Sequence, residues 1–187
     1  MRLFLAIDVG EAMRREIGAV QARLREKLGG WRWIDPRGIH LTVRFLGEVG
    51  QEALDRQLPV WRDAAGSCSP VRLRVGGSSV FPPRGAPRVL WIGVEGIEPR
   101  GAVDALGRVF ERAARDLGLP PENRPFRPHL TLARADRHGR PVPPPVGLVG
   151  DLGEIEAREI VLFRSELGPG GARYTPLQSF ALGEKGA

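Results

Sequence analysis

The feature that most limits how this chain can fold is a repeat. The phrase His-Leu-Thr-aliphatic occurs at residues 40–43 (HLTV) and again at 129–132 (HLTL), and each copy ends a segment organised as strand, helix, turn, strand. The first segment opens with RLFLAIDV at 2–9, short, aliphatic and closed by Gly10, which reads as a buried strand. Met13, Ile17, Val20, Leu24 and Leu28 then recur at three- and four-residue steps ahead of a glycine pair, the pattern of an amphipathic helix with a glycine end. The second segment opens with RVLWIGVEG at 88–96 and continues with Val103, Leu106, Val109 or Phe110, Ala113 and Leu117 on one helical face. His40 lies 38 residues beyond Arg2 and His129 lies 41 beyond Arg88, although the residues between barely match. The duplication is therefore one of architecture, and it predicts two lobes about an approximate two-fold axis.

The rest of the chain reads as connections and further strands. WRWIDPRG at 31–38 is a turn, and residues 51–65 form a helix that Pro59 kinks or restarts. VRLRVGGSSVF at 71–81 alternates as a half-exposed strand, RPVPPPVG at 140–147 is an exposed loop, and EIVLFRSELGPGGARYTPLQSFAL closes as a hairpin around GPGGA at 168–172.

Strand parity gives the repeated phrase its chemistry. Residues two apart share a face, so His40 projects with Thr42 and His129 with Thr131, while Leu41, Val43, Leu130 and Leu132 point to the helix-covered side. Brought to opposite sides of one cleft, two such pairs suit in-line phosphoryl displacement, which needs a base for the nucleophile and an acid for the leaving oxygen. A histidine pKa of about 6.5 lets one ring be neutral and the other charged near neutrality. Threonine hydroxyls would donate to the non-bridging oxygens as their charge grows. No metal and no other cofactor is required. Two histidines without a carboxylate or cysteine at ligand spacing make a poor zinc site. His138, in DRHGR, reads as a solvated loop residue.

Arg44 shares parity with His40 and is a candidate phosphate contact; Arg134 has the wrong parity unless its strand bends or ends. Trp31, Trp33, Phe126 and Tyr174 are candidates to stack a base, with core packing as the alternative for each. The net charge is +6, and all but two of the 28 basic residues are arginine, which favours a phosphate-bearing partner. One cysteine, Cys68, forms no internal disulfide and suits a reducing interior. The opening run is too short for a signal peptide and no stretch approaches membrane-spanning length, so the expected location is the cytoplasm. G-x-S-x-G, Walker A and G-x-G-x-x-G patterns are absent, which removes support for serine-hydrolase, P-loop and Rossmann chemistry.

WIDPRGIHLTVRFLGEV, RPHLTLAR and RSELGPGGARYTPL together resemble the two-histidine (HxTx) phosphoesterases, in particular the RNA 2′,3′-cyclic phosphodiesterases also called 2′-5′ RNA ligases. The resemblance implies an α+β fold over residues 1–187, one bilobal domain with two pseudo-symmetric lobes, each an antiparallel sheet with helices on its outer face, around a central cleft. It implies metal-independent hydrolysis of a terminal 2′,3′-cyclic phosphate to a 2′-phosphate, with ATP-independent 2′-5′ ligation when a 5′-hydroxyl replaces water. His40 would be the proton donor to the departing 3′-oxygen, His129 the proton acceptor, and Thr42 and Thr131 the phosphate holders. The implied partner is RNA with a cyclic phosphate end, tRNA-like fragments included, acted on by a monomer. Two alternatives stand beside it: a cyclic phosphodiesterase for a small nucleotide, an ADP-ribose cyclic phosphate or a nucleoside 2′,3′-cyclic phosphate, and a non-catalytic RNA-end binding protein.

Overall fold

A computed structural model describes residues 1–136, 140–142, 144–145, 147–168 and 171–183. In chain order the elements are β1 (Arg2–Asp8), α1 (Gly10–Arg25), β2 (Trp31–Trp33), a 3-10 turn (Pro36–Gly38), β3 (His40–Glu48), α2 (Gln51–Gly66), β4 (Val71–Phe81), β5 (Val89–Glu98), α3 (Ala102–Asp116), β6 (His129–Ala135), β7 (Asp151–Ala157), β8 (Glu159–Gly168) and β9 (Gly171–Ala181). The strands form one antiparallel sheet in the order β7-β4-β5-β6-β3-β1-β8-β9, with β2 paired to β6. This order is symmetric about the β6–β3 boundary: β5 answers β1, β4 answers β8, and β7 answers β9. The α+β class and the two-fold organisation predicted above are both present. The two His-Leu-Thr strands do not face each other from opposite walls, however. They adjoin along the seam between the halves, joined through the pair Leu41–Leu130.

One face of the sheet is the core. Leu41, Val43, Leu130 and Leu132 join Ile17 of α1, Trp61 of α2 and Phe110 of α3 in a single buried cluster. Trp61 and Phe110 stack with ring centroids 6.2 Å apart, so truncating Phe110 to alanine removes about 3–5 kcal/mol of stability. The other face carries a smaller aromatic cluster of Phe4, Ala6, Val161 and Phe163 with Tyr174 packed against it.

Three elements depart from the sequence reading. The segment expected as a turn at 31–38 contains β2, whose three residues are too few to show a period. DLGEIEA forms β7, an outer strand on β4. α2 runs through Pro59 without restarting; Pro59 is exposed, so the carbonyl it leaves unpaired faces water. β8 and β9 pair as the expected hairpin as far as Gly168 and Gly171, and residues 169–170 of GPGGA lie outside the described residues. His138 and part of the 140–147 loop lie outside the described residues.

Candidate active site

Antiparallel register on either side of Leu41–Leu130 sets His40 across from Thr131 and Thr42 across from His129. The leucines point into the core, so all four polar residues project from the opposite face as a crosswise block. With a rise of roughly 3.3 Å per residue and strands about 5 Å apart, the two histidine backbones stand roughly 8 Å apart on the diagonal. That leaves room for one phosphate between the rings.

Each imidazole is oriented in the same way. Nδ1 of His40 lies 2.8 Å from the carbonyl of Gly38, and Nδ1 of His129 lies 2.6 Å from the carbonyl of Arg127. A carbonyl only accepts, so Nδ1–H donates in both rings and Nε2 is the nitrogen free to exchange a proton. The 3-10 turn fixes the first of these carbonyls. Asp35 caps it by accepting from the Arg37 amide at 2.9 Å, with Pro36 at its first position. Gly38 also leaves space for Tyr174, whose ring would lie 3.4 Å from a Cβ there.

Two equivalent bulges re-aim the residues that follow the threonines. On β3, Thr42 pairs with Ala6 and Arg44 with Leu5, leaving Val43 as the extra residue. On β6, Thr131 pairs with Trp91 and Ala133 with Leu90, leaving Leu132 as the extra residue. The carbonyl of Leu132 is satisfied by the Ile34 amide at 2.9 Å and by the side chain of buried Gln21 at 3.0 Å. Each bulge reverses parity beyond it. Arg44 therefore turns to the helix side, 5% exposed, where Glu111 holds it at 2.9 Å, Glu122 at 2.9 Å, and the carbonyl of Pro120 accepts a further bond. The expected phosphate contact by Arg44 is thus corrected: this arginine ties β3 to α3. Arg134 moves the other way, onto the face of the histidines, and its charge disfavours protonation of both. The equivalent position on β3 is Phe45, 52% exposed.

Trp33 is also corrected. It pairs with buried Ala133 and packs on the core, with Arg25 of α1 5.8 Å over its ring. Trp31 is buried and donates to the carbonyl of Val142, and Phe126 packs beside Gly107 of α3. Tyr174 does reach the site, edge-on to His40 at 4.9 Å. Residues missed in the sequence complete the surroundings: Phe4 at 4.6 Å and Phe163 at 6.1 Å from His40, and Phe81 at 5.2 Å and Trp91 at 5.9 Å from His129. Asp8 was missed as well. It pairs with His40 in register and is held by the Gly10 amide and by Arg14 at 2.6 Å. Phe4, Ala6 and Asp8 alternate along β1, a signal concealed by reading that strand as buried on both faces.

Burial brings the His40 pKa down to about 4, against the opposing pull of the Gly38 carbonyl and the Asp8 carboxylate. His129 is lowered too, chiefly by burial. Both rings therefore favour the neutral form at pH 7, in place of the expected one neutral and one charged. An anion placed between the rings would favour the protonated form of either. Among the described residues no group of three or more His, Cys, Asp or Glu is placed to hold a metal ion, and no helix is long and apolar enough to cross a membrane.

Comparison with known proteins extends these observations. The RNA 2′,3′-cyclic phosphodiesterase of Thermus thermophilus is 36% identical over all of this chain and 93% of its own length; that of Methanothermobacter thermautotrophicus is 33% identical over 97% and 99%. A crystal structure of a Thermus thermophilus protein superposes with TM-score 0.83 at 32% identity over the whole of both chains. Escherichia coli LigT complexed with 3′-AMP gives 0.73 at 29% over 97% of each. The LigT-like phosphoesterase pattern matches residues 7–91 and 97–174, which takes in both histidine strands and both halves of the sheet, and the chain belongs to that family.

Proposed function

We propose that this protein hydrolyses 2′,3′-cyclic phosphate ends of RNA to 2′-phosphates, and joins such an end to a 5′-hydroxyl through a 2′-5′ linkage when that hydroxyl replaces water. His40 donates a proton from Nε2 to the departing 3′-oxygen, and His129 takes the proton of the nucleophile. Thr42 and Thr131 donate to the non-bridging oxygens, and Arg134 offsets their charge. Residues 1–187 act as one bilobal unit, as a monomer in the cytoplasm. The observation that carries this reading is the crosswise block on the seam: one histidine and one threonine from each half, both rings oriented through Nδ1 so that Nε2 is free. The relatives' names supply the substrate class, and the net charge of +6 suits an RNA chain.

Incubation with an oligonucleotide ending in 2′,3′-cyclic phosphate tests the proposal. A product bearing a 2′-phosphate, formed also in EDTA, is the expected result. A 3′-phosphate product contradicts the assignment of the leaving oxygen, and an unconsumed cyclic end contradicts the activity.

A further inference from the structure

We propose that the cavity beside His129 is an acceptor subsite that seats the 5′-terminal nucleoside of a second RNA end. This rests on the cyclic phosphodiesterase reading, in which His129 serves the nucleophile. Two cavities flank the seam. One, of about 230 Å³, is lined by residues including Asp8, Gly38, His40 and Tyr174. The other, of about 560 Å³, is lined by residues including Gly76, Trp91, Gly93, Phe126 and Arg127. They are mates under the pseudo-dyad. Asp8 pairs with His40 as Gly93 pairs with His129, and Gly38 gives its carbonyl to the first ring as Arg127 does to the second.

In-line displacement tells the two apart. The ribose of the cyclic end carries the 3′-oxygen that leaves toward His40, so its nucleoside lies on the side of the smaller cavity. The nucleophile enters from the side of the larger one. Water needs no such space, whereas 560 Å³ falls within the range of about 300–1,000 Å³ usual for small-molecule sites. Its lining fits a nucleoside: the indole of Trp91, stacked on Phe81, borders the cavity and offers a surface for a base, with Phe126, packed on Gly107, forming part of the wall. Gly93 stands where Asp8 stands in the other half, so the position beside the ring carries no carboxylate; the carboxylates of this lining are Glu95 and Asp151. Arg74 is held by Glu154 and Asp151. Arg127 is exposed and carries no ion pair among the described residues, which leaves it for the phosphate that follows the acceptor nucleoside. In the joining step the 5′-oxygen attacks phosphorus and its proton passes to Nε2 of His129. The bond from phosphorus to the 3′-oxygen breaks, and that oxygen takes a proton from Nε2 of His40. A cyclic diester becomes a 2′-5′ diester with a free 3′-hydroxyl, and no water or nucleotide is consumed.

The test is a partition assay. The full chain receives an oligonucleotide ending in 2′,3′-cyclic phosphate and an excess of a 5′-hydroxyl dinucleotide, and the ratio of joined to hydrolysed product is measured. Both products pass through the same two histidines, so the ratio reports the nucleophile side alone. Arg127→Ala is expected to lower the ratio about tenfold, and with the wild-type chain an acceptor lacking its first base is expected to lower it by a similar factor. A ratio unchanged by both manipulations overturns the subsite, as does hydrolysed product alone at every acceptor concentration; either leaves the phosphodiesterase reading standing. Turnover of neither kind overturns both.

Discussion

His40 and His129 occupy equivalent positions on β3 and β6, yet Asp8 stands beside the first where Gly93 stands beside the second. Phe4, Phe163 and Tyr174 enclose the first ring, while Phe81 and Trp91 border the second. Beyond the paired bulges, the same cleft-face position holds Phe45 in one half and Arg134 in the other. Duplication thus supplies the symmetric part of the chemistry, two rings and two hydroxyls around one phosphate. The residues that differ supply direction. Asp8 favours a charged His40 and has no counterpart beside His129, whereas Arg134 disfavours the charge on both rings. A donor starts charged, so Asp8 is the residue that marks His40 as the donor. Burial outweighs Asp8 at His40, so an anionic substrate would have to supply the rest of the stabilisation that a charged donor needs.

The largest way to break the comparison is to remove either ring. His40→Ala and His129→Ala should each lower turnover of a cyclic-phosphate oligonucleotide by about 10⁴-fold, and the double variant should be little worse, because the pair acts as a unit. Near-normal turnover in either single variant would end the two-histidine account. Next come the hydroxyls. Thr42→Val and Thr131→Val should each lower kcat by about 10²-fold, and by similar factors, since the crosswise block treats them alike. A wide disparity would show that the phosphate sits nearer one half.

Acid stability separates the rings without any substrate. A folded-state pKa of about 4 for His40, below the ordinary 6.5, means that the unfolded chain binds this proton first as pH falls. Stability should hold above pH 6.5 and decline toward pH 4, by about 3 kcal/mol from His40, with His129 acting in the same direction. Urea unfolding across this range should show the decline, and His40→Gln should remove much of it. The smallest effect concerns Asp8. Because its charge raises the His40 pKa, Asp8→Asn should move the alkaline limb of the kcat profile to lower pH; a limb that stays in place would deny Asp8 any part in the asymmetry.

Much of this was legible in the letters. The repeat gave the two halves, and period-two parity put each histidine beside its threonine and each leucine in the core. The bulges were not legible, because Val43 and Leu132 are aliphatic residues that a regular strand would bury as well. One unpaired residue on each strand sent Arg44 into the core with Glu111 and brought Arg134 out, reversing the two parity assignments. Trp33 escaped because its partner on β6, Ala133, is 100 residues away in sequence. The aromatic surroundings were hidden for a similar reason: Phe163 and Tyr174 arrive on β8 and β9, more than 120 residues after His40.

The division of labour between two equivalent rings is tested most directly by a cyclic substrate with sulfur in place of the bridging 3′-oxygen, a leaving group that departs without an acid. Turnover of this substrate should be restored in His40→Ala and remain lost in His129→Ala. Rescue of His129→Ala instead, with none for His40→Ala, would reverse donor and acceptor and contradict the account.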